Sequence, residues 1–255
     1  MKNILLICQK ELKGYFASPI AYLLMAFFAL IFGFGLFTAT RDFIRFSFQM
    51  QAQGGQFPMN INEQIIRPLL SFGSTISLFL VPMITMRLFA EEKRSGTIEL
   101  LLTSPVTDTE IIVGKWLGAT LLYLCILAMS MINIAILFAW GKPDIKPVLV
   151  AYLGLLLQGG CLLAIGEFIS TTTRNQIIAG GVTFFVCLML WLLNWFTSFD
   201  TTGVAAVVNY LSIVTHFENF AKGVIETKDV IFYLSMIFFA LFITSRAMES
   251  LRWRS

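Results

Sequence analysis

RLFAEEKRSGTIELLLTSPVTDTEIIVGK, residues 87–115, is the densest polar segment of an otherwise apolar chain, and we call it the charged segment. Its charged residues are Arg87, Glu91, Glu92, Lys93, Arg94, Glu99, Asp108, Glu110 and Lys115. Long runs without charge flank it, at residues 68–86 and 116–141. Because ionised side chains are costly inside a bilayer, this pattern indicates two membrane spans joined by a polar connection.

Glycine and proline divide the charged segment into short helices. Gly96 can end a first helix, because glycine accepts the left-handed conformation just past a helix C-terminus. Residues 97–103 then predict a short second helix. It stops at Ser104, because a residue that precedes proline, here Pro105, avoids helical geometry.

A third helix starts at the end of the segment. Thr107 and Glu110 stand three residues apart, which is the spacing of a capping box, and the helix continues into the next apolar run. A short helix between two spans, with charged residues on both sides, is a suitable binding surface for a cytoplasmic partner.

The runs without charge decide the fold class. The chain has 255 residues, of which 57% are hydrophobic and 13% charged. A helix needs about 20 apolar residues to cross the hydrocarbon core. Five runs reach that length, and the last reaches it with its neighbours if Arg246 snorkels. We predict an all-α polytopic membrane protein with six transmembrane helices, at about 18–38, 69–89, 116–140, 147–168, 177–197 and 230–245.

The N-terminal residues 1–17 predict an amphipathic interfacial helix. Apolar side chains fall near one face, and Lys2, Lys10 and Lys13 lie largely on the other, toward anionic headgroups. A cleaved signal peptide is the alternative. The apolar stretch that follows is far longer than the apolar region of such peptides, so we expect the helix to be retained.

Two connections and one proline carry further predictions. Residues 41–67 predict a polar connection on the membrane surface, and residues 198–228 predict amphipathic re-entrant or surface helices rather than a seventh span. Pro82, inside the second span, predicts a kink. An orientation with both termini inside places 11 of the 18 lysines and arginines on the cytoplasmic side, a modest positive-inside bias.

The charged segment resembles the cytoplasmic signature of ABC-2 type transporter permeases, which follows roughly E-x-x-x-G-T-x-E-x-L-x-x-x-P with a later G-K. The resemblance covers residues 1–255 as a single transmembrane domain. HFENFAKGVIETKDV, residues 216–230, is similar to the gliding-motility-associated branch. The resemblance implies that residues 97–103 form a coupling helix seated in an ATPase. It implies coupling roles for Glu91, Glu92, Arg94, Gly96, Thr97, Glu99, Ser104, Pro105 and Lys115.

The same resemblance implies partners and a location. The partners are an ABC ATPase dimer, a second permease chain in a homodimer or heterodimer, an extracytoplasmic accessory subunit and membrane lipid. The location is the bacterial cytoplasmic (inner) membrane. No cofactor is expected in this chain, because ATP and Mg²⁺ belong to the ATPase. The net charge of +3 without a basic run does not suggest nucleic acid.

Enzymatic motifs are absent from the sequence. His216 is the only histidine, and we expect it at the membrane interface. No G-x-S-x-G, H-E-x-x-H or G-x-x-x-x-G-K-[ST] motif occurs, so a separate ATPase must supply energy for uphill transport. The four cysteines form no C-x-x-C pair and are expected to serve packing.

Glu167, near the end of the fourth span, has two interpretations. It is either a functional intramembrane acid or an acid that reaches the cytoplasmic interface near Arg174. The function of the chain also has alternatives. A scaffold or force-transmitting subunit without cargo stays open, and an integral-membrane enzyme is disfavoured by the missing motifs. The apolar composition suits many substrates and identifies none.

Overall fold

A computed structural model describes residues 2–52, 60–103, 105–141, 143–197, 208 and 210–252. The α-helices are α1 Lys2–Ala17, α2 Pro19–Ala52, α3 Arg67–Thr85, α4 Ala90–Ser95, α5 Ile98–Leu102, α6 Asp108–Trp140, α7 Ile145–Thr172, α8 Gln176–Thr197, α9 Ile213–Ala221 and α10 Thr227–Arg252. Within the described residues, six helical stretches are long and apolar enough to cross a membrane, and no strand occurs. The predicted all-α polytopic fold is confirmed.

Helices α3 and α7 lie at the centre of the bundle. In the stretches that contain them, 67% of the apolar window is buried, against 33% or less in the other four. Small residues permit this close packing. A Cβ atom added to Gly159 would overlap the ring of Tyr123, and one added to Gly166 would overlap Thr85. Gly159 and Gly166 therefore let neighbouring helices approach α7 closely.

Helix α2 is longer than the sequence predicted. Its 34 residues run through Ala52, where the sequence predicted a polar surface connection from residue 41. At 1.5 Å per residue, about 51 Å of helix exceeds the roughly 30 Å hydrocarbon core. The physical reason is that residues 39–52 contain neither glycine nor proline, so nothing local stops the helix where its hydropathy falls.

The second span is interrupted near the charged segment. A π-helical turn, Asn62–Ile66, leads into α3, which continues through Pro82 and ends at Thr85. The predicted span extended to residue 89, but residues 86–89 form a turn before α4 begins. Helix α6 starts at Asp108, eight residues before the predicted span, because the capping-box helix and the span are one helix.

Helix α9 lies at the opposite end of the bundle from the charged segment. It has nine residues, about 13 Å of helix, which is too short to be a span. Phe220 on its buried face lies against α7, where a Cβ atom on Gly154 would approach within 2.5 Å of it. This agrees with the predicted amphipathic helix within 198–228. Residues 198–207 and 209 lie outside the described part of the chain.

Candidate functional site

The charged segment folds as its glycine and capping residues predict. Helix α4 ends at Ser95, and Gly96 follows with φ of +75° in the left-handed region. Helix α5 lies between Thr97 and Thr103. The capping box is confirmed, with the Glu110 N–H donating to Thr107 Oγ1 at 3.3 Å and the Thr107 N–H donating to Glu110 Oε2 at 3.2 Å.

Pro105 follows α5 in a bend and is exposed. The prediction made for Ser104 falls outside the described residues. The short predicted helix is therefore confirmed between residues 98 and 102, with its flanks at one glycine and one proline.

Helix α4 is attached to the end of α7. The backbone N–H groups of Phe89 and Ala90 donate to Ser170 Oγ, at 3.0 and 3.1 Å. The first N–H groups of a helix have no intrahelical acceptor, so Ser170 caps α4 from a different helix. Lys93 donates to the carbonyl of Thr171 in the last turn of α7, where a cation complements the helix dipole.

Lys115 is fully buried and joins three helices. Its Nζ atom donates to Glu11 Oε1 at 2.8 Å, to Glu92 Oε1 at 3.0 Å and to the Leu88 carbonyl at 2.8 Å. An ammonium group has three N–H donors, so each has an acceptor. The ring of Phe89 lies 5.0 Å from the same atom. We call Glu11, Leu88, Glu92 and Lys115 the Lys115 cluster.

Glu11 is the member of this cluster that sequence reasoning missed. It stands 104 residues from Lys115 in the chain, and no local pattern links the two. One signal existed, because Glu11 is the only acidic residue within residues 1–17, among several lysines. A lone acid in a basic interfacial helix is a candidate partner for a buried cation.

Helix α1 packs closely on α6 beside the Lys115 cluster. A Cβ atom on Gly114 would lie 2.8 Å from Ile7 Cβ, and one on Gly118 would lie 2.9 Å from Glu11 Cβ. The Asn3 amide donates to both carboxylate oxygens of Glu110, at 3.2 and 3.3 Å. The N-terminal helix therefore lies beside the charged segment and contacts it directly.

The predicted coupling charges separate into two groups. Glu91 pairs with Arg87 at 2.9 Å, and Glu92 belongs to the Lys115 cluster, so both have partners within the chain. Arg94, Thr97 and Glu99 are exposed. The structure thus brings Glu92 and Lys115 together and leaves the other three residues at the surface.

Leu100 is a surface residue that the sequence did not single out. It is 73% exposed, while Ile98 and Leu101 on the same short helix pack against the core. The helical spacing of the sequence could have indicated this exposure. Ile98 and Leu101 lie three residues apart on one face of α5, so Leu100 must point away from that face. An exposed leucine beside Glu99 gives the segment a mixed apolar and acidic outer surface.

A cleft of about 180 Å³ opens beside the cluster, lined by Glu11, Gly14, Tyr15, Arg87 and Glu91. The Tyr15 hydroxyl donates to the Ile84 carbonyl at 3.0 Å, near the end of α3. Burial, and then the carboxylate of Glu11, raise the pKa of Tyr15. Tyr15 therefore remains a neutral donor that holds α1 against α3.

Glu167 is completely buried. Neither carboxylate oxygen has a hydrogen-bond partner among the described residues. The interpretation that this side chain reaches the cytoplasmic interface is therefore wrong, because the neighbouring helices enclose it. It stands one turn before Ser170, the residue that caps α4. Its neighbour Gly166 packs against Thr85, one turn before Leu88, whose carbonyl accepts from Lys115.

His216 is buried rather than exposed at the membrane interface, with 3% of its surface accessible. Its Nδ1 lies 2.6 Å from Asp229 Oδ1, and its Nε2 lies 2.8 Å from the Tyr210 carbonyl. A carbonyl only accepts, so Nε2 carries a proton. Asn219 donates to the second Asp229 oxygen at 2.8 Å. Both ring nitrogens are engaged, and the group clamps α9 to the start of α10.

Groups of three or more metal-ligating side chains are absent from the described residues. The described cysteines are unpaired thiols, and three of them are buried. The cluster around Lys115 is therefore a set of ion pairs and hydrogen bonds that joins helices.

A protein-family model described as ABC-2 family transporter protein matches residues 5–245. That range contains nearly the whole chain, including the charged segment and the Lys115 cluster. The match does not identify the gliding-motility branch. No curated protein matches the chain.

Proposed function

The chain belongs to the ABC-2 family of transporter proteins, and on that premise we propose that it is the membrane permease of an exporter driven by a separate ABC ATPase. In this proposal ATPase subunits bind ATP and Mg²⁺, and the substrate crosses the bacterial cytoplasmic membrane between two permease chains. The observation that carries the proposal is the shape of the charged segment. Its tip, which consists of Thr97, Glu99 and Leu100, is exposed. Its base, which is α4 with Lys115, is attached to α1, α6 and α7.

The base of the segment can transmit a displacement. Ser170 attaches α4 to α7, and Lys115 attaches it to α1 and α6. The Ser170 contacts and the Lys115 side chain are buried, while Glu11 and Glu92 are partly exposed. Removing one partner of a fully buried ion pair costs roughly 3–5 kcal/mol, so less is expected here. A movement of α4 is therefore passed to the spans rather than absorbed by a flexible connection.

The tip offers a surface for the ATPase. Leu100 is 73% exposed, and Glu99 and Thr97 beside it are exposed as well. Full burial of a leucine side chain contributes roughly 1.5–3 kcal/mol, and such an apolar residue within a polar rim is typical of an interface centre. We infer that Leu100 enters an apolar cleft of the ATPase and that Glu99 meets a basic residue at its edge.

Capture of the ATPase from host membranes by the tagged chain tests the proposal. Leu100→Asp places a charge in the apolar contact and is expected to reduce capture at least tenfold, since about 1.4 kcal/mol corresponds to a factor of ten. Glu99→Lys is expected to weaken capture as well. Equal amounts of each variant in the membrane fraction would show that insertion is intact.

Leu211→Asp is the matched control. Leu211 is another exposed leucine, at the opposite end of the bundle, and its replacement is expected to leave capture unchanged. Wild-type capture by Leu100→Asp, or an equal loss with Leu211→Asp, would contradict a contact through the charged segment.

A further inference from the structure

Glu167 is a buried carboxyl group without a use in the function proposed above. It is 0% exposed, and both of its oxygens lack a hydrogen-bond donor among the described residues. Its neighbour Gly166 packs so tightly against Thr85 that a Cβ atom there would overlap it. An ionised carboxylate that is enclosed by protein and lacks a hydrogen-bond donor from it is strongly disfavoured.

The cations at this end of the bundle are already engaged. Lys115 uses its three donors on Glu11, Glu92 and the Leu88 carbonyl. Arg87 pairs with Glu91, and Lys93 donates to the Thr171 carbonyl. The Lys115 cluster already holds two carboxylates for one buried ammonium.

The other packed elements add little positive charge. Helix α1 presents Glu11 and Tyr15, whose hydroxyl is occupied by the Ile84 carbonyl. Helix α8 contains Cys187 as its single titratable side chain. On α10, Arg246 is exposed and pairs with Glu249 at 2.8 Å, and Arg174 lies in the exposed turn after α7.

We propose that Glu167 is a proton-binding site whose carboxyl is neutral while Lys115 is held by Glu11 and Glu92, and which releases its proton when Lys115 becomes available as a counter-ion. The step is balanced. The O–H bond of the Glu167 carboxyl breaks, the proton passes to water, and the new carboxylate charge is matched by the ammonium of Lys115.

The site links proton binding to the position of α4. Glu92 lies on α4, so a movement of α4 changes how Lys115 is held. If a movement of α4 changes the proton affinity of Glu167, then proton binding at Glu167 must in turn shift the position of α4, because coupling between two equilibria is reciprocal. This link to coupling rests on the proposed function, whereas proton binding at Glu167 does not.

Infrared spectroscopy of the purified chain in lipid nanodiscs tests the site without any ATPase. The carbonyl stretch of a protonated carboxylic acid is expected at neutral pH in the wild-type chain and is expected to disappear in Glu167→Gln. Glu167→Asp keeps the acid and is expected to shift the band, so its assignment does not depend on one variant. A wild-type spectrum without a band sensitive to these changes would overturn the proposal.

Glu92→Gln and Glu91→Gln separate the link to Lys115 from a general loss of charge. Glu92→Gln removes one carboxylate from Lys115, so the ammonium can balance the charge of ionised Glu167. The pH at which half of the carboxylic-acid band is lost is therefore expected to fall by at least one unit relative to the wild-type chain. Glu91→Gln removes the neighbouring acid, which pairs with Arg87 instead, and is expected to leave that pH unchanged. Equal shifts in the two variants, or no shift in Glu92→Gln, would overturn the linkage. Failure of ATPase capture would leave the infrared result intact.

Discussion

Gly96 has a backbone conformation that its neighbours in the charged segment do not share. Its φ is +75° and its ψ is 1°, a region that costs most residues with a Cβ atom roughly 1–3 kcal/mol. A Cβ atom at this position would meet nothing within 4 Å. Any effect of a substitution in the free chain therefore comes from the backbone and not from a clash.

This isolation gives a residue-scale prediction. Gly96→Val is expected to turn α5 away from its present direction, because a β-branched residue resists positive φ. Stimulation of the ATPase in proteoliposomes should then fall well below the wild-type level. Gly96→Asn is expected to retain more stimulation, since asparagine visits the left-handed region more readily. Equal stimulation by the two variants would show that the conformation of Gly96 is not what matters.

At the scale of elements, α1 depends on two glycines of α6. Gly114 and Gly118 lie one helical turn apart, and the backbone of α1 crosses above them. A Cβ atom on Gly118 would lie 2.9 Å from Glu11 Cβ and 3.4 Å from the Cys8 carbonyl. The same contact places Glu11 within reach of Lys115, so the packing of α1 and the ion pairs support each other.

Gly118→Ala is expected to lift α1 from α6 at a cost of about 1–3 kcal/mol, the usual cost of overpacking. The readout is maleimide labelling of Cys8 in a background where Cys125, Cys161 and Cys187 are alanine. Cys8 is 6% exposed, and burial, then Glu11, raises the pKa of its thiol. A raised pKa leaves less thiolate, so labelling of the wild-type residue at neutral pH is slow.

Labelling of Cys8 is expected to be at least several-fold faster in Gly118→Ala. Gly181→Ala is the control, because a Cβ atom on Gly181, in α8, would meet nothing within 4 Å. Unchanged labelling in Gly118→Ala, or faster labelling in both variants, would count against the dependence of α1 on this glycine.

At the scale of the whole molecule, the two ends of the bundle differ in character. The charged segment, α1 and the Lys115 cluster lie at one end. The clamp of His216 and Asp229 with α9 lies at the other. Charge bias favours the charged-segment end as cytoplasmic, which is also where an ATPase would act.

Cysteine labelling in intact cells checks this orientation. In a background without native cysteines, Asn60→Cys is expected to react with an impermeant maleimide added outside. Ser95→Cys is expected to react only after the membrane is opened. Both positions are exposed in the structure, so a difference reports the side of the membrane. Reaction of Ser95→Cys in intact cells would reverse the proposed topology.

The sequence by itself determined the features that depend on neighbouring residues. Runs without charge located the six spans, because the hydrocarbon core excludes charge over a fixed thickness. Gly96 and the box of Thr107 and Glu110 located helix ends, because caps form within a few residues. The continuation of α2 through Ala52 was missed, because hydropathy falls there while no glycine or proline stops the helix.

Only the tertiary structure decided which polar side chains meet. Glu11 and Lys115 are 104 residues apart, and Phe89 and Ser170 are 81 apart. Their meeting depends on how each helix is rotated about its axis and how closely glycines let two helices approach. Hydropathy along one chain does not contain that information. The burial of Glu167 and His216 has the same origin, because a side chain on a spanning helix faces lipid or protein according to which helices pack beside it.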